Sequence, residues 1–175
     1  MFQLPSNSES SKVRTTSKFF RLFTFLTFLL AMISYSCKEK HQDIKVIYWH
    51  QGQETVLSSN LSGFMDLIRT SEDLLLTADD MLKLIVDPEL IQKIKKYESA
   101  IEIIYSKPVE LTSNYNKETI HPDRLLIPLS GEFMGKDENP PATIFHGYPE
   151  YSAGPYRNHK GFGELKKILY DMGIK

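Results

Sequence analysis

The chain has 175 residues, of which 25% are charged and 41% are hydrophobic, and its formal net charge is −1. These values are typical of one folded domain and exclude a disordered polymer. The first 36 residues carry a net charge of +3, so the remainder of the chain sums to −4. Such an acidic body excludes a nucleic-acid binder by bulk charge, because phosphate neutralisation needs clustered cations.

A charge-free apolar run, Leu22 to Ile33, follows a polar and basic N-terminal segment. A helix of this length spans about 18 Å, which is less than the roughly 30 Å hydrocarbon layer of a bilayer. The run therefore predicts the hydrophobic part of a signal peptide that covers residues 1–36. Ser34 and Ser36 come next, in the small-x-small pattern that signal peptidases require. We expect cleavage before Cys37, the one cysteine of the chain.

The segment from Ile33 to Cys37, with the sequence Ile-Ser-Tyr-Ser-Cys, resembles the lipobox of bacterial lipoproteins. This resemblance covers only the targeting segment, and no family is recognised for the rest of the chain. It implies that Cys37 receives a diacylglyceryl thioether, becomes the mature N terminus and is N-acylated, so that fatty acyl chains such as palmitate hold the protein in a membrane. Several acyl chains anchor firmly, because each buried methylene contributes about 0.8 kcal/mol.

Two alternatives to the lipoprotein hypothesis stay open: an uncleaved anchor, and an ordinary signal peptide that leaves Cys37 as a free thiol. The position of the only cysteine favours lipidation, because an unpaired thiol is a liability in an oxidising compartment. Residues 37–43 would then form the lipidated cysteine and a short polar tether of about 20 Å. The predicted location is the cell envelope, membrane-anchored and either periplasmic or surface-exposed.

Residues 44–175 are predicted to form a single α+β domain. Residues 44–49 show a period-two pattern and are rich in β-branched and aromatic side chains, which predicts a strand. A turn at 51–53 then leads to a second strand at 54–57. A helical stripe of largely apolar residues follows: Phe64, Leu67, Ile68, Ser71, Leu74 and Leu75. Thr77 and Asp80 have capping-box spacing, which predicts a short helix through residue 85. Asp87 and Pro88 predict the start of another helix over 88–97.

The second half of the domain is predicted to supply most of the sheet. Strands are expected at 101–105, 109–112, 124–127 and 142–148, with polar loops at 113–123 and 134–141. A last helix is predicted at 162–172, before Gly173 as its C-cap. The expected fold is therefore α+β, with a mostly antiparallel sheet of about five strands and helices packed on one face.

Catalytic templates are absent from the sequence, since no G-x-S-x-G, H-E-x-x-H or phosphate-binding glycine loop is present. The weak catalytic candidates are His146, His121 and Glu150, with Arg157 beside them. His146 lies in a predicted strand, where a general base and a histidine satisfied by one hydrogen bond are both plausible. The five histidines are scattered without ligand spacing, so no metal is predicted. No cofactor is expected either.

The segment 147–158, which we call the tyrosine loop, is the most unusual stretch of the domain. It contains Tyr148, Tyr151, Tyr156 and Arg157 together with two prolines and two glycines. Tyrosine combines contact area with a hydroxyl, and arginine offers a planar fork of donors, so these four residues are the candidate binding residues. The alternative is that the loop only covers the end of a sheet.

These observations favour a binding module: a small envelope lipoprotein that contacts another envelope protein or a peptide and is attached to a membrane by its lipid. An immunity-type protein that neutralises a toxin is one example of this class. A second hypothesis is an envelope-associated enzyme that uses His146 and His121 with Glu150, and it requires these side chains to meet in one cleft. A purely structural domain is the third. The absence of catalytic motifs in the sequence favours a binding function over an enzymatic one.

Overall fold

The computed structural model describes residues 43–134, 140–152, 154–161 and 163–174. The strands are β1 (Ile44–His50), β2 (Gln53–Leu57), β3 (Asp80–Met81), β4 (Ser99–Tyr105), β5 (Leu111–Thr112), β6 (Thr119–Ile120), β7 (Arg124–Pro128), β8 (Ala142–Gly147) and β9 (Tyr156–Asn158). The helices are α1 (Phe64–Leu76), α2 (Pro88–Tyr97) and α3 (Gly163–Asp171). The signal peptide, Cys37 and most of the tether lie outside the described residues.

One seven-stranded sheet organises the domain, in the order β2-β1-β4-β7-β8-β9-β3. Every neighbouring pair is antiparallel, and β5 with β6 forms a separate two-stranded sheet. The predicted α+β class with a mostly antiparallel sheet is therefore confirmed. The sheet exceeds the expected five strands because β3 and β9, of two and three residues, extend one edge.

The larger hydrophobic core lies between one face of the sheet and helices α1 and α3. Alternate residues of the inner strands point to this face, because side chains alternate along a strand. Its wholly buried members include Val46, Leu67, Ile101, Leu125, Ile144, Tyr156 and Leu165. The helical stripe predicted for α1 is the buried face of that helix, with all six of its residues buried.

Helix α2 packs on the opposite face of the sheet. Its buried residues Ile91 and Ile94 pack with Ala100, Leu126 and Phe145, which alternate along their strands with residues of the larger core and so point to the other face. The helices therefore do not all lie on one side as expected: α1 and α3 share a face and α2 covers the other. The apolar even-numbered positions of β4 and β7, such as Ala100 and Leu126, require this second cover.

Local signals positioned the first hairpin and α2 as predicted. Gln51 and Gly52 both have positive φ, 49° and 83°, which is the turn geometry that matches strand twist in a two-residue hairpin. Asp87 caps α2, because its carboxylate accepts a 2.8 Å hydrogen bond from the backbone N–H of Leu90.

The short helix predicted after Thr77 is wrong. Thr77 instead ends α1, and its backbone N–H donates to the carbonyl of Asp73. The following residues pair with the last strand: the backbone N–H of Asp79 donates to the carbonyl of Arg157 and that of Leu82 to Pro155. Backbone pairing at the sheet edge thus takes the place of the predicted helix.

Two further expectations for the middle of the chain are corrected. Residues 113–123 are not loop throughout, since Thr119–Ile120 forms β6 and pairs with β5. The segment at 109–112 contributes only β5, which lies in the small sheet and does not extend β4. Among the described residues, no helix is both long and apolar enough to cross a bilayer.

Candidate functional site

A cleft of about 480 Å³ opens where β8 leaves the sheet and becomes the tyrosine loop. We call it the histidine cleft. It is lined by Met81, Glu118, Thr119, Ile120, His121, Pro122, His146, Gly147, Tyr148, Ser152, Gly154 and Tyr156. Three separate parts of the chain therefore build it: the β6 region, the end of β8 with the tyrosine loop, and β3. Both histidines of the enzyme hypothesis line this one cleft.

The imidazoles of His121 and His146 make no hydrogen bond to any other residue that the structure describes. His146 is half-buried and its ring lies 5.3 Å from that of Tyr156, centroid to centroid. Burial lowers the pKa of His146, and the negative charge of Glu118 opposes that shift. His146 is therefore held toward its neutral form, in which one ring nitrogen accepts a hydrogen bond and the other donates one.

Hydrogen bonds from Asn116 position the Glu118 carboxylate at the cleft. The side-chain amide of Asn116 donates to the Glu118 carboxylate at 2.9 Å and contacts the hydroxyl of Tyr156 at 3.4 Å. The side-chain oxygen of Asn116 accepts from the backbone N–H of Glu118. Glu118 is the one formally charged residue among those that line the cleft. The site thus offers a carboxylate, two imidazoles and two phenols.

The tyrosine loop doubles back immediately after β8. The backbone N–H of Ser152 donates to the carbonyl of His146 at 2.8 Å, and Gly147 forms an isolated antiparallel bridge with Tyr151. A Cβ on Gly147 would overlap the backbone carbonyl oxygen of Glu150. Only glycine permits this close return, which brings Tyr148 to the cleft wall.

The structure separates the four candidate binding residues of the loop. Tyr148 is 63% exposed on the wall of the histidine cleft, whereas Tyr156 is 1% exposed and packs in the larger core. Tyr151 lies on the other side of the loop. Arg157 is half-buried in β9, with its Nε buried and without a hydrogen-bond partner among the described residues. Tyr148 is the only one of the four that combines exposure with a place on this cleft.

The side chain of Tyr151 reaches a buried carboxylate instead. Glu102 of β4 accepts hydrogen bonds from Tyr151 Oη at 2.8 Å, Trp49 Nε1 at 2.9 Å and Lys95 Nζ at 2.7 Å. The ammonium of Lys95 also lies 5.0 Å from the centroid of the Trp49 ring. We call these four residues the Glu102 cluster. Burial and the neighbouring Glu102 charge raise the pKa of Tyr151 well above its usual value.

The Glu102 cluster was not predicted from the sequence, although one signal was present. Glu102 is the single charged residue in a strand whose other members are Ser99, Ala100, Ile101, Ile103, Ile104 and Tyr105. A buried carboxylate needs hydrogen-bond donors, so a lone Glu in an apolar strand indicates donors on neighbouring elements. Which donors these are depends on the register of β1 against β4 and on the placement of α2.

The remaining predicted site residues lie apart. Glu150 is exposed and does not line the histidine cleft. Cys37 lies outside the described residues. Within residues 43–134, 140–152, 154–161 and 163–174, no group of three or more histidine, cysteine, aspartate or glutamate side chains could hold a metal ion.

Comparisons with models of protein families, with curated proteins and with solved structures give no match for this chain.

Proposed function

We propose that this chain is a small envelope lipoprotein whose folded part is a binding module, and that its histidine cleft holds an extended peptide segment of another envelope protein. The histidine cleft is the observation that carries this proposal. Its volume of about 480 Å³ lies within the roughly 300–1,000 Å³ typical of ligand sites. Its lining is mixed, with aromatic, imidazole and apolar side chains beside Glu118, Thr119 and Ser152, which suits a peptide that has both polar and apolar side chains.

The charge of the site favours a basic peptide. Glu118 is the one formally charged residue that lines the cleft, and the chain after residue 36 sums to −4. A lysine or arginine of the partner would meet Glu118, while Tyr148 and Met81 offer apolar contact to its neighbours. Charge complementarity of this kind sets specificity and speeds association.

Attachment to a membrane through Cys37 is the second part of the proposal, and the lipobox-like sequence before it is the support. Wild-type protein should incorporate radiolabelled palmitate in cells and sediment with membranes. Cys37→Ser should abolish the label and release the protein. Absence of label from the wild type, or unchanged sedimentation of the variant, would contradict this part alone.

Peptide binding is tested by selection from a random peptide library against the full chain in detergent micelles, followed by calorimetric titration of the selected peptides. We expect basic sequences with apolar neighbours. Tyr148→Ala should weaken binding about tenfold, which corresponds to about 1.4 kcal/mol for a central aromatic contact. Tyr170→Ala is the matched control, because Tyr170 is 70% exposed on α3 and lines neither this cleft nor its surroundings. Equal losses at both positions, or recovery of no peptide, would contradict the proposal.

A second candidate function is hydrolysis by acid–base catalysis in the same cleft. The observation that favours it is the convergence of His121 and His146, neither of which is hydrogen-bonded to a described residue. His146, held toward its neutral form, would act as the base. Glu150 and Arg157 lie outside the cleft and would take no part. Mass spectrometry of a selected peptide after prolonged incubation with the protein distinguishes the two functions. An enzyme should cleave the peptide, and His146→Gln should abolish the cleavage. A binding module should leave the peptide intact.

A further inference from the structure

A second cleft, of about 250 Å³, lies on the α2 side of the sheet. We call it the arginine cleft. Its lining is formed by Val86, Asp87, Pro88, Ile91, Gln92, Lys95, Arg124, Pro149, Glu150 and Tyr151. None of these residues lines the histidine cleft. The two clefts lie on opposite sides of the tyrosine loop, which gives Tyr148 to one and Tyr151 to the other.

Two ion pairs present their positive members to the arginine cleft. Arg124 binds Asp123 side-on, with Nε at 2.8 Å and Nη2 at 3.3 Å. Nη1 makes no hydrogen bond to a described residue. Lys95 donates to Glu102 at 2.7 Å. The side chains of Lys95 and Arg124 are 15% and 28% exposed, against 3% and 15% for their carboxylate partners. Both cations line the cleft and neither carboxylate does.

The walls of the arginine cleft are apolar, and its outer rim is acidic. Val86, Ile91 and Pro149 offer a surface for an aliphatic group. The carboxylates of Asp87 and Glu150 also line the cleft and are exposed. These two carboxylates disfavour a second negative charge on a ligand, whereas a single charge can pair with Lys95 and Arg124, which are less exposed. The volume lies below the roughly 300 Å³ of drug-sized sites, so the ligand is small.

We propose that the arginine cleft binds a small monocarboxylate that carries an aliphatic group, with its carboxylate on Arg124 Nη1 and the Lys95 ammonium. Arginine suits this role because its guanidinium stays charged and because Nη1 is a donor that the Asp123 carboxylate does not use. The C-terminal residue of a peptide and a free branched-chain carboxylic acid share this chemistry. This site is separate from the histidine cleft and does not depend on the function proposed there.

Calorimetric titration of the full chain with N-acetyl-leucine, N-acetyl-leucinamide and inorganic phosphate tests the proposal. The acid should bind, and the amide and phosphate should bind at least about tenfold more weakly, because a charge-assisted hydrogen bond is worth about 1.5–3 kcal/mol. Titration with 4-methylpentanoate separates the two sources: weaker binding than N-acetyl-leucine indicates a peptide C terminus, and equal binding indicates a simple carboxylic acid. Amide or phosphate binding as tight as that of the acid would overturn the proposal.

Three variants locate the site. Arg124→Gln should weaken binding of N-acetyl-leucine about tenfold. Lys93→Gln is the matched control. Lys93 is an exposed cation of α2, the helix that carries Lys95, and it pairs with Glu132 and does not line the cleft. Glu150→Lys, at an exposed position, should tighten binding about two- to fivefold even if Arg124→Gln misfolds. Unchanged affinity in Glu150→Lys, or equal losses in Arg124→Gln and Lys93→Gln, would also overturn the proposal.

Discussion

The phenol of Tyr151 donates a 2.8 Å hydrogen bond to the buried carboxylate of Glu102, and this contact joins the tyrosine loop to an inner strand of the sheet. The loop is held at one side by the Glu102 cluster and at the other by the turn at Gly147. Tyr148 is thereby fixed on the wall of the histidine cleft. The loop is consequently a supported wall between two clefts, and a change at Tyr151 should affect both.

Removal of the Tyr151 hydroxyl should destabilise the domain. Tyr151→Phe leaves Glu102 with two of its three donors, so the free energy of unfolding should fall by about 1.5–3 kcal/mol, the usual contribution of a hydrogen bond to a charged group. Urea denaturation measures this change. Tyr148→Phe is the control, because an exposed phenol should contribute no more than about 0.5 kcal/mol. Equal stabilities for the two variants would show that the bond to Glu102 contributes nothing.

Loss of the Lys95 ammonium should have a larger effect that a second substitution reverses. Lys95→Met leaves the Glu102 carboxylate buried without its counter-charge, which should cost about 3–5 kcal/mol. Glu102→Gln in the same molecule removes the uncompensated charge, so the double variant should be more stable than Lys95→Met alone. Urea denaturation of the wild type, of Lys95→Met, of Glu102→Gln and of the double variant gives the coupling free energy. Additive losses would contradict a direct pair.

The first half of the fold was predictable because its signals are local. The apolar stripe of α1, the Asp87 cap of α2 and the turn at Gln51 each depend on residues close together in the chain. The error at 77–85 arose because short apolar segments are compatible with either helix or strand. Backbone hydrogen bonds decided between helix and strand: Asp79 pairs with Arg157 in β9, and Leu82 pairs with Pro155 just before it. No local sequence pattern encodes these bonds.

The site was only partly predictable for the same reason. The composition of the tyrosine loop indicated a recognition surface, but not that Tyr156 would be buried and Tyr148 exposed. That difference follows from the phase of β9, which directs Tyr156 into the larger core. His121 and His146 line one cleft because His121 comes three residues before β7, which pairs with β8, and this pairing is a property of the topology. The signal peptide at residues 1–36 and the lipidation of Cys37 stay predictions.

Stability should depend on the protonation of His146. Burial lowers the pKa of this imidazole, so below the unfolded value of about 6.5 the unfolded chain takes up a proton more readily than the folded domain. The free energy of unfolding should therefore fall as the pH decreases from 7.5 to 5. His146→Gln removes this contribution, so its stability should fall less over that range. Urea denaturation at both pH values checks the prediction, and parallel losses in the two proteins would contradict it.

The turn at Gly147 should tolerate no side chain. Gly147→Ala places a Cβ against the carbonyl of Glu150 and the Cα of Tyr151, and such overpacking should cost about 1–3 kcal/mol. Binding in both clefts should weaken, because the loop must move. Gly163→Ala is the matched control: nothing lies within 4 Å of a Cβ there, and its stability should change by less than about 0.5 kcal/mol. Thermal or urea unfolding compares them, and an unaffected Gly147→Ala would show that the loop has another path.

The most direct test of peptide binding is chemical-shift mapping of the ¹⁵N-labelled full chain in micelles during titration with a library-selected basic peptide. The proposed function predicts that the largest shifts occur at the residues around the histidine cleft, above all Gly147, Tyr148 and Ser152, and that Tyr170 on α3 is unaffected. Shifts centred on α3, or an unchanged spectrum at saturating peptide, would contradict the claim that this cleft is the binding site.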